Sequence, residues 1–138
     1  MRKVSMLIGT CMLVALALTL LAQQATDLPP IMKDVAATQQ SLRMNLIAKS
    51  AADVEKDASK LQNLFTQAGG IFKALKAQDA VDWAKGNADA AGAIVKAAKA
   101  SDFDAATASA GTIQKSCKAC HDVHREEVTP GSKQYKFK

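Results

Sequence analysis

The chain has 138 residues, 49% of them apolar and 22% charged, with a formal charge of +5. That positive excess is too mild to argue for nucleic acid as a partner, and two of its charges, Arg2 and Lys3, belong to a leader. The remainder, about 115 residues, suits one domain with one core; with one Trp, one Tyr and four Phe, that core is thin in aromatics.

Arg2 and Lys3 precede a mostly apolar run from Met6 to Leu21, and the small residue Ala22 follows before Gln23-Gln24. A charged start, an apolar stretch and a small residue predict a secretory signal peptide over residues 1–22, cleaved near 22–25. The run falls short of the about 20 apolar residues that a spanning helix needs. An uncleaved anchor, the one route to a membrane, is therefore set second to export. Cys11 lies inside the apolar stretch and leaves with it. Ile8-Gly9-Thr10 before it make a poor lipoprotein site.

Four segments follow, each with an apolar seam at three- and four-residue steps, the period of an amphipathic helix. The first, near Pro29 to Lys49, carries Ile31, Val35, Leu42 and Leu46, with Met32, Ala36 and Ile47 beside them. Pro29-Pro30 suits a first turn, where a missing N–H costs little. The second, near Ala51 to Ala77, carries Val54, Ala58, Leu61, Phe65, Ala68, Phe72 and Leu75. Gly69-Gly70 inside it marks either a kink or a close approach. The third, near Ala80 to Ala100, carries Val81, Ala84, Ala88, Ala91, Val95 and Ala98. The fourth, near Asp102 to Val128, carries Phe103, Ala106, Ala110, Ile113, Cys117, Cys120 and His124. Ser50, Asp79 and Ser101 stand before helices as caps, followed by Asp53, Asp82 and Asp104 in the first turns. No convincing strand is found. Short connections imply antiparallel neighbours, so the expected fold is all-α, an up-down-up-down four-helix bundle over residues 26–128. Thr129-Pro130-Gly131 stops the last helix, and 129–138 is a basic tail bearing Lys133, Lys136 and Lys138. That tail reads as a solvated terminus before it reads as a docking patch for an acidic partner.

The last segment contains Cys117-Lys118-Ala119-Cys120-His121, and Cys-x-x-Cys-His is the signature of covalent c-type haem attachment. Two thiols one helical turn apart can each add to a haem vinyl group, and the following imidazole can serve as proximal iron ligand. Both cysteines continue the core-facing stripe, so the haem would enter the bundle interior. Once Cys11 is gone, no other thiol remains for a disulfide framework. Zinc through Cys117, Cys120, His121 and His124 is the competing reading. All four would come from one helix within an arc of about 100°, which wraps a tetrahedral ion poorly. The exported side of the membrane is where c-type haem is attached, so leader and motif agree.

A four-helix bundle with this motif near the end of its last helix resembles the class II cytochromes c, the family of cytochrome c′ and its low-spin, six-coordinate relatives. The match is carried by Cys117-Lys118-Ala119-Cys120-His121-Asp122, with Arg125 four residues after the histidine. The resemblance implies one haem c with its iron, electron transfer in the bacterial periplasm, and redox proteins there or in the membrane as partners. Its five-coordinate members bind nitric oxide or carbon monoxide. Homodimers are common in the family, and a homodimer stays open here. His124 stands where the family often carries Tyr or Phe.

The sixth ligand separates the two modes. In this topology the start of the first helix lies beside the end of the fourth. His121 falls about seven residues before the expected end, roughly 10 Å along the axis, so a distal ligand should come from the first two turns. Met32 is the thioether there; Met44 lies roughly 18 Å further along. Ile31-Met32-Lys33-Asp34 also resembles the low-spin members, whose methionine ligand sits early in the first helix. The bland alternative is Met32 as core filler. His124 projects from the same helix as His121 and is expected to make a proximal-side hydrogen bond or to touch the haem edge. Arg125 is expected to pair with a haem propionate or to be a surface arginine near Glu126 and Glu127. No acid–base pair, nucleophile or phosphate loop suggests an enzyme. The expectation is thus a periplasmic monohaem electron carrier with His121 and Met32 as axial ligands, with a five-coordinate gas-binding protein as the alternative.

Overall fold

The computed structural model describes residues 27–138; the leader, its cleavage point and Cys11 lie outside the described residues. Helix α1 runs over residues 27–47, α2 over Ala51–Ala74, α3 over Gln78–Lys99 and α4 over Phe103–His124. Three-residue connections join them: Ala48 to Ser50, Leu75 to Ala77 and Ala100 to Asp102. Links this short allow only antiparallel neighbours. The molecule is an all-α four-helix bundle.

All three links use the same turn. Lys49, Lys76 and Ser101 adopt left-handed backbone, with φ of 54°, 59° and 55°. The amide after each reaches back to a carbonyl inside the helix: Ser50 to Asn45 at 3.0 Å, Ala77 to Phe72 at 3.0 Å, Asp102 to Ala97 at 2.9 Å. This is the Schellman closure, which satisfies the last carbonyls of a helix and is usually built on glycine. The starts differ from the expected caps. Asp102, not Ser101, caps α4 by accepting from Ala105 N at 3.0 Å. Ala77 occupies the cap of α3, which puts Asp79 inside the first turn. Ser50 holds the expected position, but its hydroxyl donates to Asp53 at 2.6 Å instead of capping the backbone.

The core is built from one stripe of each helix. Val54, Leu61, Ile94 and Ile113 are fully buried, each stabilising the fold by about 1.5–3 kcal/mol relative to exposure. Val35 and Leu42 of α1 and Ala106 of α4 complete that cluster. A second, smaller cluster of Leu28, Ala68, Phe72, Ala80 and Ala84 fills the end of the bundle. The seams of α1, α2 and α4 fall where the periodicity puts them, although Ile47 is 72% exposed. The α3 seam is rotated. Its buried residues are Ala80, Ala84, Asn87, Ala91, Ile94 and Ala98, while Val81, Ala88 and Val95 sit half-buried beside them. Alanine on nearly every face of α3 blurs the stripe. Gly69 does not break α2; a Cβ there would lie 3.5 Å from Ala84 Cβ, so it marks close packing of α2 on α3.

The last ten residues depart most from expectation. Helix α4 ends at His124, four residues before Val128, and Arg125 is already extended (φ −110°, ψ 125°). Strand β1 (Arg125–Glu127) pairs antiparallel with β2 (Tyr135–Phe137), with Arg125 opposite Phe137 and Glu127 opposite Tyr135. Gly131 takes φ 80° in the connecting turn, and its amide donates to Glu127 Oε2 at 2.9 Å. The segment 129–138 is therefore a folded hairpin arm, not a loose tail.

Candidate functional site

Cys117 and Cys120 lie on the last two turns of α4, one helical turn apart along the core-facing side, with His121 exposed beside them. Cys117 and Cys120 are both free and half-buried. Cys117 packs on the main cluster, and Cys120 on the end cluster with Ile31, Met32, Val81 and Phe137. Met32 and Cys120 thus share one small apolar cluster, although Met32 comes from the first helix and Cys120 from the last. Because α4 ends at His124, His121 stands about one turn, not two, from the helix end. Met32 sits in the corresponding part of α1, five residues after its first described residue.

Burial pushes the Cys117 thiol above its ordinary range, with the Gln39 amide pulling the other way. Cys120 is pushed up to about 11, first by burial and then by the nearby Cys117 and Asp79. Both sulfurs are thiols at neutral pH. His121 lies at the surface. What burial it has, followed by the charge of Arg125, holds its imidazole below the usual value, while Asp122 opposes them. The neutral ring is the form that ligates a metal.

Arg125 extends from β1 over the ring of Tyr135, 3.4 Å from its centroid, and brings Nη1 to 3.5 Å from His121 Nδ1. Arg125 is exposed at the surface, and the two carboxylates beside it are engaged elsewhere: Glu126 faces Lys136 at 3.5 Å, and Glu127 is held in the hairpin turn. His124 is bonded at both ring nitrogens. Its Nε2 lies 2.8 Å from Asp79 Oδ2 and its Nδ1 3.2 Å from Lys138 O. Its ring stacks on Phe137 at 4.7 Å and meets Trp83 edge-on at 6.0 Å. Both nitrogens are committed to the α3 start and the hairpin, so His124 makes no hydrogen bond to His121. It fastens the arm to the bundle. Among the described residues no three His, Cys, Asp or Glu side chains gather as a metal-ion group, which leaves the zinc reading without a ligand set.

The residue types present fit a covalently held haem: two thiols on one helix face, an imidazole beside them and a thioether on the facing helix, against an apolar cluster. The seam of α4 is only partly closed. Ala106 and Ile113 are buried, whereas Phe103, Ala110, Cys117 and Cys120 stay half-buried. An open groove of about 700 Å³ runs between α1 and α4, lined by Gln39, Leu42 and Leu46 on one side and Ala110, Gly111 and Ile113 on the other.

Gln39 and Asn87 are neighbours of Cys117 that the sequence reading missed. Gln39 Nε2 lies 3.5 Å and Asn87 Nδ2 4.0 Å from its Sγ. A trace was present: Asn87 falls at the right spacing for the alanine stripe of α3. Tyr135 and Phe137 were missed with the hairpin, whose alternating aromatics after Pro130-Gly131 are a short strand signal. The chain matches no protein-family model and no curated protein.

Proposed function

We propose that this chain is an exported c-type cytochrome that carries single electrons. In this reading Cys117 and Cys120 hold one haem covalently, with His121 and Met32 as its iron ligands. The carrying observation is that Met32 and Cys120, 88 positions apart in the chain, meet on one apolar cluster at the end of the bundle that bears His121. When bound, the haem supplies a one-electron Fe(III)/Fe(II) couple, whose potential His/Met ligation raises.

The chain's own residues do the rest. Helix α4 holds the two sulfurs one turn apart, and Leu28, Phe72 and Ala84 exclude water beside them. His121 presents Nε2 to a metal only if Nδ1 keeps its proton, since a ligating imidazole donates through its other nitrogen. Arg125 is a donor without lone pairs. Its 3.5 Å contact with Nδ1 would not fit a His121 ring that held iron through Nε2 and kept its proton on Nδ1, and the guanidinium would then be free for a carboxylate. The charged start and apolar run before residue 23 support export to the periplasm. Redox proteins in that compartment are the partners this reading implies.

The test is the optical spectrum of the exported protein, oxidised and reduced, with and without carbon monoxide. Sharp low-spin bands that resist the gas, and a weak far-red sulfur-to-iron band lost in Met32→Ala, are expected. Broad high-spin bands that shift with carbon monoxide would make it the five-coordinate gas-binding alternative. Absence of covalent haem from protein exported by a strain that loads other c-type cytochromes would end both readings.

A further inference from the structure

Helix α3 buries apolar side chains, four alanines and Ile94, at every core position but one. Asn87 is 5% exposed between Ala84 and Ala91 on the buried stripe. Alanine would continue that stripe without taking an amide out of water, which is unfavourable unless its hydrogen bonds are replaced. The replacement on offer is sulfur. Asn87 Nδ2 points at Cys117 Sγ from α3 at 4.0 Å, and Gln39 Nε2 points at the same atom from α1 at 3.5 Å. Sulfur accepts weakly and at long range, so two donors from two helices converging on one sulfur amount to a built arrangement. Cys120 has no such company: it packs against the apolar end cluster, and among the described residues no side-chain amide is hydrogen-bonded to it.

We infer that Gln39 and Asn87 are positioning residues that clasp Cys117 Sγ from two sides and draw charge from it, making the two sulfurs of the motif chemically unequal. The functional meaning rests on the haem reading; the clasp itself does not. A donated N–H stabilises negative charge on a free thiol and lowers the electron-releasing power of the same sulfur once it is a thioether. Through the haem edge attached to Cys117, the pair then favours the reduced state, as hydrogen bonds around a metal centre do. On the Cys120 side the control is apolar burial alone.

Two measurements test this separately from the presence of haem. In the haem-free chain, alkylation by iodoacetamide at neutral pH is followed for each cysteine by peptide mass. Asn87→Leu and Gln39→Leu should each slow Cys117 by about two- to tenfold, the worth of one modest hydrogen bond, and leave Cys120 unchanged. Asn87→Leu is nearly isosteric and should melt at or above the parent temperature. Gln39 is only half-buried, so its variant folds even if the core resists leucine at position 87. In the haem-loaded protein both variants should lower the reduction potential. Unchanged or faster alkylation of Cys117, or equal slowing of both cysteines, would reduce Asn87 and Gln39 to packing residues. An unchanged potential in the folded, loaded double variant would remove the redox role. Failure of the parent to take up haem would overturn the electron-carrier reading, while the alkylation rates still decide the clasp.

Discussion

Lys49, Lys76 and Ser101 occupy left-handed backbone with a Cβ to accommodate. That conformation costs a non-glycine residue about 1–2 kcal/mol, part of which glycine returns through its freer unfolded chain. Lys76→Gly should therefore stabilise the fold by about 0.5–1 kcal/mol, raising the melting temperature by a few degrees in a thermal scan. At the motif the reasoning concerns protons. The Cys120 thiol is held at about 11 against an ordinary 9.0, chiefly by burial. A group raised in the folded state contributes its stability in full below the unfolded value and loses it as pH rises through the folded one. The haem-free chain should accordingly weaken between pH 9.0 and about 11, and Cys120→Ala should flatten that limb of a denaturation-versus-pH series. The spacing of Cys117, Cys120 and His121 was legible because it is local and survives any fold. Gln39 and Asn87 were not, since a contact between three helices has no spacing in the sequence.

Among the elements, the hairpin is the departure that matters. Glu126 and Glu127 fill two of the three positions of its first strand with charge, and three paired residues per strand give too short an alternation to separate from a helix end. The structure resolves the contest through side chains: Phe137 stacks on Phe72 at 5.2 Å and on His124 at 4.7 Å, and the backbone of Lys138 meets His124 through both its amide and its carbonyl. A two-stranded ribbon is marginal alone, so the arm depends on this anchorage. Phe137→Ala should open it, with rapid proteolysis between Val128 and Gln134 and helix content nearly unchanged by circular dichroism. Asp79 is held below the usual carboxylate range, first by its hydrogen bond to His124. Protonating it as pH falls through that lowered value removes the partner of His124. Asp79→Asn should therefore raise hydrogen exchange in 135–138 at neutral pH, and the parent should approach the variant in acid. The helices themselves were legible because α1, α2 and α4 carry clear apolar stripes. In α3 alanine on several faces let the seam shift by one residue, and the shift hid Asn87 inside the core.

For the whole molecule, architecture followed from period and loop length. Three stretches of polar or small residues between long apolar seams admit little besides an antiparallel bundle. The aromatic core is small, and much of the α4 seam stays half-buried. A ligand that binds only the folded chain stabilises it by mass action, and a covalent one does so without dissociating. The haem-loaded protein should melt well above the haem-free chain, by a margin a differential scan resolves at once; equal melting temperatures would argue that the half-open seam holds nothing. Whether Met32 completes the site was beyond the sequence, because ligation depends on how α1 slides against α4.

The three links between helices are short and alike, and they leave one seam of the bundle with no link at all. Helices α2 and α3, and α3 and α4, can close locally as soon as their turns form. Helix α1 meets α4 only through contacts such as Gln39 with Cys117, 78 positions apart. Loop-closure entropy makes such distant pairings the late ones. The order of assembly then runs from the middle of the chain outward, and the two cysteines are the last part of the interior to be enclosed. If these thiols take up a haem, as proposed, each would stay within reach of that large, flat molecule until the rest of the fold is ready to hold it.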